Sequence, residues 1–450
     1  MQKDFSISIV KTLRQHGFQA YLAGGCVRDL LLQREPADYD VATSATPEQV
    51  MNIFPETYAV GAQFGVVLVP LPESHIASSE EKMLPKSHAV EVATFRSDLS
   101  YSDGRRPDEV RFSDDPREDV ARRDFTINGM MLDPVSGEVL DYVGGREDLA
   151  ARIIRAIGDP ALRFAEDKLR MLRAVRFAAR FEYEIESETL RAITLSAQEI
   201  NVVSRERVRD ELTRMLIEGH ARRAFLLLDE CGLLKEVLPE ISAMKGVEQP
   251  AEFHPEGDVF VHTLLLLDHL PQPCPATLAW GAILHDVGKP ATFRRAPDRI
   301  RFDNHVEVGV KIAEEICERL RLSNQDTAQI LALVDNHMRF GHVTRMKEST
   351  LKRFLRLPDF EEHLALHRAD SLASHRHLAT HDLIRRKLAE TPPAIIHPPR
   401  LLNGEDLIAA GYTPGAKFRE ILEAVEDAQL EGRVDSPEAA LEFVKREFPL

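Results

Sequence analysis

Two aspartates one residue apart, Asp38 and Asp40, follow a Gly24-Gly25 pair and Arg28 within the stretch YLAGGCVRDLLLQREPADYDVAT. These types at this spacing suit phosphate chemistry. Residues 21–23 read as a short apolar strand that the glycines break, and residues 26–32 as a helix with Val27, Leu30 and Leu31 on one side. The start of such a helix aims backbone N–H groups and the positive end of its dipole at a ligand, glycine admits close approach, and Arg28 adds a fixed charge. The order Asp38-Tyr39-Asp40-Val41 alternates as a strand does and sends both carboxylates to one face. Two such groups repel unless a cation lies between them. Mg²⁺, with its hard oxygen ligands and its preference for phosphates, is the expected guest. An exposed Asp-x-Asp turn carries the same letters, but the adjoining glycine turn and Arg28 favour the metal clamp.

Further along, Glu91 stands inside the apolar run AVEVATF. A buried lone acid costs several kcal/mol unless paired or metal-bound, so Glu91 is the candidate third carboxylate, against the alternative of an edge-strand acid facing water. Residues 70–86 read as a polar excursion and 97–115 as a flexible loop. In RRDFTIN, Arg122 and Arg123 can grip phosphate oxygens in bidentate fashion beside Asp124, and Asn128 can bond a sugar hydroxyl. Residues 141–145 read as the bend that leaves the sheet.

From residue 150 the pattern is helical. Leu162, Ala165, Leu169 and Leu172 form an apolar stripe, which leaves Glu166, Asp167, Arg170 and Arg173 on another flank. An exposed salt-bridge ladder is the plain reading. The sharper one uses base chemistry. Cytosine and adenine each offer an amine donor beside a ring-nitrogen acceptor, which complements a carboxylate on Asp167 and a guanidinium on Arg170. Guanine and uracil would meet like with like.

GGCVRDLLL with DYDVAT, then RRDFTIN, EDKLRMLRAVRF and RERVRDEL, resemble the signature of the class II tRNA nucleotidyltransferases and bacterial poly(A) polymerases over at least residues 21–216. The resemblance implies Asp38, Asp40 and Glu91 as catalytic acids. It implies Gly24, Gly25, Arg28, Arg123, Asp124, Asn128, Glu166, Asp167, Arg170 and Arg173 around the nucleotide, with residues 205–212 bracing the base-reading helix. Arg105-Arg106-Pro107 sits where resembling enzymes keep a loop for switching from C to A addition, and residues 60–66 lack the basic cluster of poly(A) polymerases.

A second constellation is His262, His285-Asp286 and Asp370, imidazoles and carboxylates able to converge on a metal. LHDVGK resembles the HD phosphohydrolase superfamily, and on that resemblance His305 and His337 are further ligands of a divalent or transition metal. The remaining late histidines, His375, His377, His381 and His397, read as packed or surface residues. Residues 391–399 read as a stiff connector.

The 450 residues exceed one hydrophobic core, and no stretch nears the roughly 18 apolar residues of a membrane helix. Four scattered cysteines form no Cys-x-x-Cys pair, and the N-terminus lacks signal-peptide order, so a cytoplasmic location with reduced thiols is expected. A net charge of -16 excludes RNA binding by bulk charge, although basic residues outnumber acidic ones by 15 to 12 between Arg152 and Arg223.

The expectation is therefore an α+β fold: a nucleotidyltransferase head over 1–148, a helical neck over 149–245, an HD domain over 246–390 and a helical tail over 391–450. Its expected work is adding CCA to tRNA from CTP and ATP, with Mg²⁺ in the head. Addition of A alone, poly(A) synthesis, a chiefly HD-type phosphohydrolase and an inert RNA-binding module are the alternatives.

Overall fold

The structure, a computed structural model, describes residues 1–59, 64–72, 88–100, 109–250, 252 and 254–449. Residues 60–63, most of the expected 70–86 excursion, Arg105-Arg106-Pro107 and Phe253 lie outside the described residues. The chain divides into two compact units, Met1–Pro239 and Glu240–Leu450.

In the first unit helix α1 (Gln2–Gln15) buries Ile9, Val10 and Leu13 beside the sheet. Strand β1 (Ala20–Ala23) runs into Gly24, and helix α2 (Gly25–Leu31) follows at once. Leu31 is exposed, so the expected apolar side of α2 reduces to Val27 with partly buried Leu30. Strand β2 (Asp40–Thr43) begins at the second aspartate, with Asp38 in the lead-in. Helix α3 (Pro47–Ile53) starts on a Thr46–Gln49 capping box with Pro47 in its first turn. Strands β3 (Val66–Pro70) and β4 (Ala89–Thr94) complete one half of the sheet.

Residues expected as a loop instead supply two paired arms, β5 (Arg96–Ser100) and β6 (Glu109–Phe112), antiparallel to each other. Their polar composition hides the pairing, and β5 also touches the helix that follows, Pro116–Ala121. Helix α4 (Pro116–Ala121) precedes β7 (Met130–Leu132) and β8 (Val139–Asp141). The six-stranded sheet has the order β3-β4-β2-β1-β7-β8, and only β2 and β4 pair in parallel. Asp141 closes the bend after β8 by accepting from the backbone N–H of Val143, Gly145 and Arg146, and helix α5 (Gly145–Ala151) follows.

The single helix expected through 162–172 is two. Helix α6 (Pro160–Glu166) ends at Asp167, whose backbone is extended (φ -145°, ψ 104°), and helix α7 (Leu169–Phe181) restarts two residues on. The Asp167 carboxylate accepts from Leu169 N–H at 3.1 Å, so an acid that competes with the helix backbone caps the second one instead. The apolar stripe is broken accordingly: Leu162 is exposed while Leu169 and Leu172 are buried. Helices α8 (Ser187–Ser196), α9 (Arg205–Ile217) and α10 (Ala221–Glu230) pack around α7 and its neighbours, and α7 touches both α9 and α10.

In the second unit the helices Val259–Leu267, Ala276–Leu284, Asn324–Asn336 and Phe360–Ala373 pack on one another, and Trp280 is fully buried among them. A short hairpin, Phe293–Arg295 with Ile300–Phe302, interrupts the helical run. The expected connector holds one helical turn, Pro393–Ile396. The last helices, Gly404–Ala409, Lys417–Leu430 and Pro437–Glu447, enclose a core that includes Leu407, Ile421, Ala428 and Val444.

Two candidate active sites

In the head, β2 and β4 lie side by side in register, and Asp40 is the Cα partner of Glu91. Pleating turns registered partners to one face, so both acids border a cavity of about 280 Å³ that Arg96 and Arg122 also line. β4 lies between β3 and β2, which removes the edge-strand reading of Glu91. Tyr39 and Val41 are buried while Asp38 and Asp40 are partly exposed, the alternation expected.

Asp38 and Asp40 also line a larger cavity of about 520 Å³, together with Gly24, Gly25, Arg28, Arg123, Asp124, Asn128, Asp167, Arg170 and Arg173. Sequence-predicted residues from four separate stretches thus meet in one space. Glu166 is not among those lining it; its carboxylate accepts from Arg163 and from Arg170 Nη1, at 3.0 and 2.6 Å.

Gly24 has φ +78° and ψ -134°, a conformation nearly restricted to glycine, and a Cβ there would lie 2.9 Å from Arg123 Nη1. The turn is therefore glycine both for its backbone and for the guanidinium beside it. Arg28 is buried: Nε donates to Asp29 at 2.8 Å, Nη1 donates to Asn128 Oδ1 at 2.7 Å, and its plane sits 4.6 Å from the Phe181 ring centre. Burial draws this guanidinium below its usual value, with Asp29 opposing. Asn128 in turn donates to Asp124 Oδ1 at 3.1 Å, and Arg173 holds Asp124 Oδ2 through Nε and Nη2 at 2.9 and 2.6 Å. Burial would raise the Asp124 carboxyl, but Arg173 and Asn128 prevail and hold it down at about 2.

Two residues that sequence reasoning left outside the site organise it. Asp119, in the first turn of α4 and fully buried, receives Arg122 on one oxygen (2.6 Å) and Arg123 on the other (2.8 Å). The signal was its i,i+3 and i,i+4 spacing to the two arginines. Arg207 of α9 grips Asp167 with both terminal nitrogens, at 3.2 and 2.8 Å, and lines the cavity itself. Arg170 commits donors to Glu166 and to the carbonyls of Arg163 and Arg122.

The second unit gathers the other predicted cluster. The ligand atoms of His262, His285 and Asp370 lie within 4.8 Å of one another, as do those of Asp286, His305 and His337. His285, His305 and His337 each point Nδ1 at a backbone carbonyl, and the buried Nε2 atoms of these three and of His262 sit in no well-aligned hydrogen bond among the described residues, although those of His262 and His285 lie 3.1 Å from Asp370 Oδ1 and Asp286 Oδ2. Four orphaned imidazole nitrogens turned toward ionised carboxylates fit a divalent metal. Burial pushes His337 down to about 4 and lowers His305, which keeps their lone pairs free. Burial disfavours the charged form of His262 also, but Asp370 and Glu256 overcome it and push the ring up to about 9. Asp286 is held well below the usual carboxylate range against its burial, by His285 and by Lys289, whose Nζ is 2.6 Å away. Above these groups a cavity of about 560 Å³ opens between His305, His337, Asp370, Arg301 and Phe302. His375, expected to be a bystander, lines that cavity. Glu256, His254 and Lys289 were missed, because an acid or a lysine next to a histidine has no diagnostic spacing.

A sheet that carries paired acids beside a glycine turn, over a cavity floored by arginines, is an arrangement suited to holding a polyphosphate and a cation. Residues 20–155 match the poly A polymerase head domain, 182–245 the probable RNA and SrmB-binding site of polymerase A, and 258–374 the HD domain. Three family models thus match in succession along the chain, a poly A polymerase head, an RNA-binding segment and an HD domain, the last in its second unit. The chain is 38% identical to the CCA-adding enzyme of Bacillus pumilus over 63% of each chain. To that of Geobacillus stearothermophilus it is 43% identical over 51% of this chain and 53% of the relative. The matched segment thus spans less than two thirds of those relatives' length. Among solved structures, the Bacillus stearothermophilus CCA-adding enzyme in complex with CTP superposes with a TM-score of 0.72 at 28% identity, covering 98% of this chain and 97% of that one. The Thermotoga maritima CCA-adding enzyme complexed with tRNA shares the fold, with a TM-score of 0.60 at 21% identity over 99% and 95% of the two chains. Among the described residues no helix is long and apolar enough to cross a membrane.

Proposed function

We propose that the protein adds C and A to the 3′ end of tRNA from CTP and ATP. The supporting observation is that Asp38, Asp40, Arg123, Asp124, Asp167 and Arg170 share one cavity, of a size that suits a single nucleotide. In this reading the tRNA 3′-hydroxyl attacks the α-phosphorus in line and pyrophosphate leaves. Asp38, Asp40 and Glu91 hold Mg²⁺, which when bound neutralises phosphate charge and lowers the pKa of the attacking hydroxyl. The N–H groups at the start of α2, with Arg123, take the triphosphate. Asp124 and Asn128 face the ribose. Asp167 accepts from the exocyclic amine of cytosine or adenine, and an Arg170 N–H donates to the adjacent ring nitrogen. Most of the rate then comes from positioning and charge compensation. The division into head (1–148), neck (149–245), HD domain (246–390) and tail (391–450) follows the same reading, and so does a cytoplasmic location.

The test is incubation of tRNA lacking CCA, or ending in CC, with each labelled nucleotide. CCA addition requires C then A on the first and A on the second. Incorporation on the CC-ended substrate alone would mark an A-adding enzyme, and long A tails a poly(A) polymerase. Asp40→Ala is expected to abolish incorporation with the fold intact, and substantial residual activity would refute the assignment.

The orphaned Nε2 atoms favour a second reading for the second unit: His262, His285, Asp286, His305, His337 and Asp370 hold two divalent cations and hydrolyse a phosphate ester. Phosphatase turnover that survives Asp40→Ala and fails in Asp286→Ala would support it.

A further inference from the structure

The four imidazoles of the second unit are not held alike. Nδ1 of His285, His305 and His337 faces the carbonyl of Ala282, Phe302 and Val334 respectively, at 2.8, 2.9 and 2.6 Å. Nδ1 of His262 instead faces a carboxylate, Glu256 Oε1, at 2.6 Å. Glu256 is itself enclosed, its side chain 5% exposed, and His254 Nδ1 approaches the same oxygen at 3.0 Å. The histidine between them is fully buried on the helix Val259–Leu267. A carboxylate withdrawn this far from water is costly unless it is paired, and the groups it meets here are the two imidazoles.

The chemical consequence concerns the far nitrogen. An imidazole whose Nδ1–H is turned to a carboxylate is a stronger donor through Nε2 than one turned to a neutral amide carbonyl, and its ring orientation and tautomer are fixed. His262 Nε2 lies 3.1 Å from Asp370 Oδ1, inside the group formed with His285. The other group, Asp286 with His305 and His337, has only carbonyl-backed imidazoles. Charge also differs: Lys289 Nζ sits 2.6 Å from Asp286 Oδ2 and competes with a cation for that carboxylate.

We propose that Glu256 is a positioning residue for His262 that makes the two metal subsites unequal, so that the His262–His285–Asp370 subsite holds its divalent cation more tightly than the Asp286–His305–His337 subsite. This rests on the two-metal reading of the second unit, and the experiment separates the two claims. Chelator-stripped full-length protein is titrated with Mn²⁺ by calorimetry, and bound manganese is counted after desalting. Wild type is expected to take two Mn²⁺ with unequal affinities. Glu256→Gln, nearly isosteric, is expected to weaken the tighter event by about 10- to 100-fold and leave the weaker one in place, so one ion is lost on desalting. Glu256→Gln is expected to lower the thermal midpoint in EDTA, where it loses the pairing with His262, and to fall further behind wild type when Mn²⁺ is present. His254→Gln, which spares the carboxylate, is expected to keep both events. Two unchanged events in Glu256→Gln, or an equal weakening of both, overturns the positioning role while the two-metal centre stands. An equal loss of midpoint with and without Mn²⁺ makes Glu256 a structural prop and overturns it also. Wild type that binds fewer than two ions overturns the two-metal reading and the proposal with it.

Discussion

Asp40 and Glu91 face each other across the one parallel pairing of the head sheet, partners in register on neighbouring strands. Parallel register fixes both Cα positions and turns both side chains to one face, so neither acid can leave the shared cavity without disturbing the ladder. Glu91→Gln keeps the size and removes the charge. It is expected to lower kcat for nucleotide incorporation by about 10²-fold or more while the nucleotide KM changes far less, because the lost charge acts on the reacting phosphate and not on the base. Steady-state kinetics with CTP decide it, and a kcat within a few-fold of wild type would remove Glu91 from the catalytic set.

Asp119 holds Arg122 and Arg123 on separate oxygens and is fully buried. Asp119→Asn leaves two arginines without their common counter-charge, and breaking a buried pair of this kind costs about 3 kcal/mol or more. The expected outcome is a lower thermal midpoint together with a raised KM for both CTP and ATP, since Arg123 no longer has a fixed seat. Calorimetry and nucleotide titration read the two effects separately.

The outline of the head was legible because each strand and turn carries its own local pattern: glycines where φ is positive, alternation at Asp38–Val41, a proline in the first turn of α3. Asp119 and Arg207 were not legible in the same way. Both act through contacts whose value depends on where another element ends up, and a charged residue on a helix reads as solvated until its partner is known. The break between α6 and α7 was missed for a related reason. Asp167 lies in a sequence of good helix formers, and the competition between its carboxylate and the backbone is decided by Arg207, 40 residues away. In the second unit the predicted ligands do gather, but the carboxylate behind His262 was invisible because no periodicity links residue 256 to residue 262 across a helix start.

Asp124 gives a pH signature. Its carboxyl is held at about 2 in the folded protein, against an ordinary 3.8, by Arg173 and Asn128 overcoming burial. A depressed carboxylate contributes stability that is present above its unfolded pKa and is lost as pH falls toward the folded one, here between about 4 and 2, and the amount is about 2 kcal/mol. Arg173→Leu removes the main opposing charge, so burial then raises the carboxyl above its unfolded value. The sign reverses: the variant loses stability as pH rises through 4 and beyond. Denaturant midpoints of wild type and variant are expected to converge at low pH and to diverge toward neutrality. A constant difference across that range would show that Arg173 acts by packing alone.

Arg207 and Asp167 provide the sharpest test of base selection. The bidentate grip of Arg207 holds the Asp167 carboxylate in one orientation, yet each carboxylate oxygen retains a second lone pair for an incoming amine. Discrimination against uracil and guanine depends on that rigidity, because a carbonyl oxygen is repelled only by an oxygen that cannot turn away. Arg207→Leu is therefore expected to lower kcat/KM for CTP and ATP by about 10-fold, and to lower it less for UTP and GTP, so that the ratio of correct to incorrect incorporation narrows. If α9 were merely a brace for α7, all four nucleotides would lose efficiency in parallel and the ratio would hold. Measuring kcat/KM for the four nucleotides on one tRNA substrate separates these outcomes, and the comparison of ratios is insensitive to any general loss of folded protein.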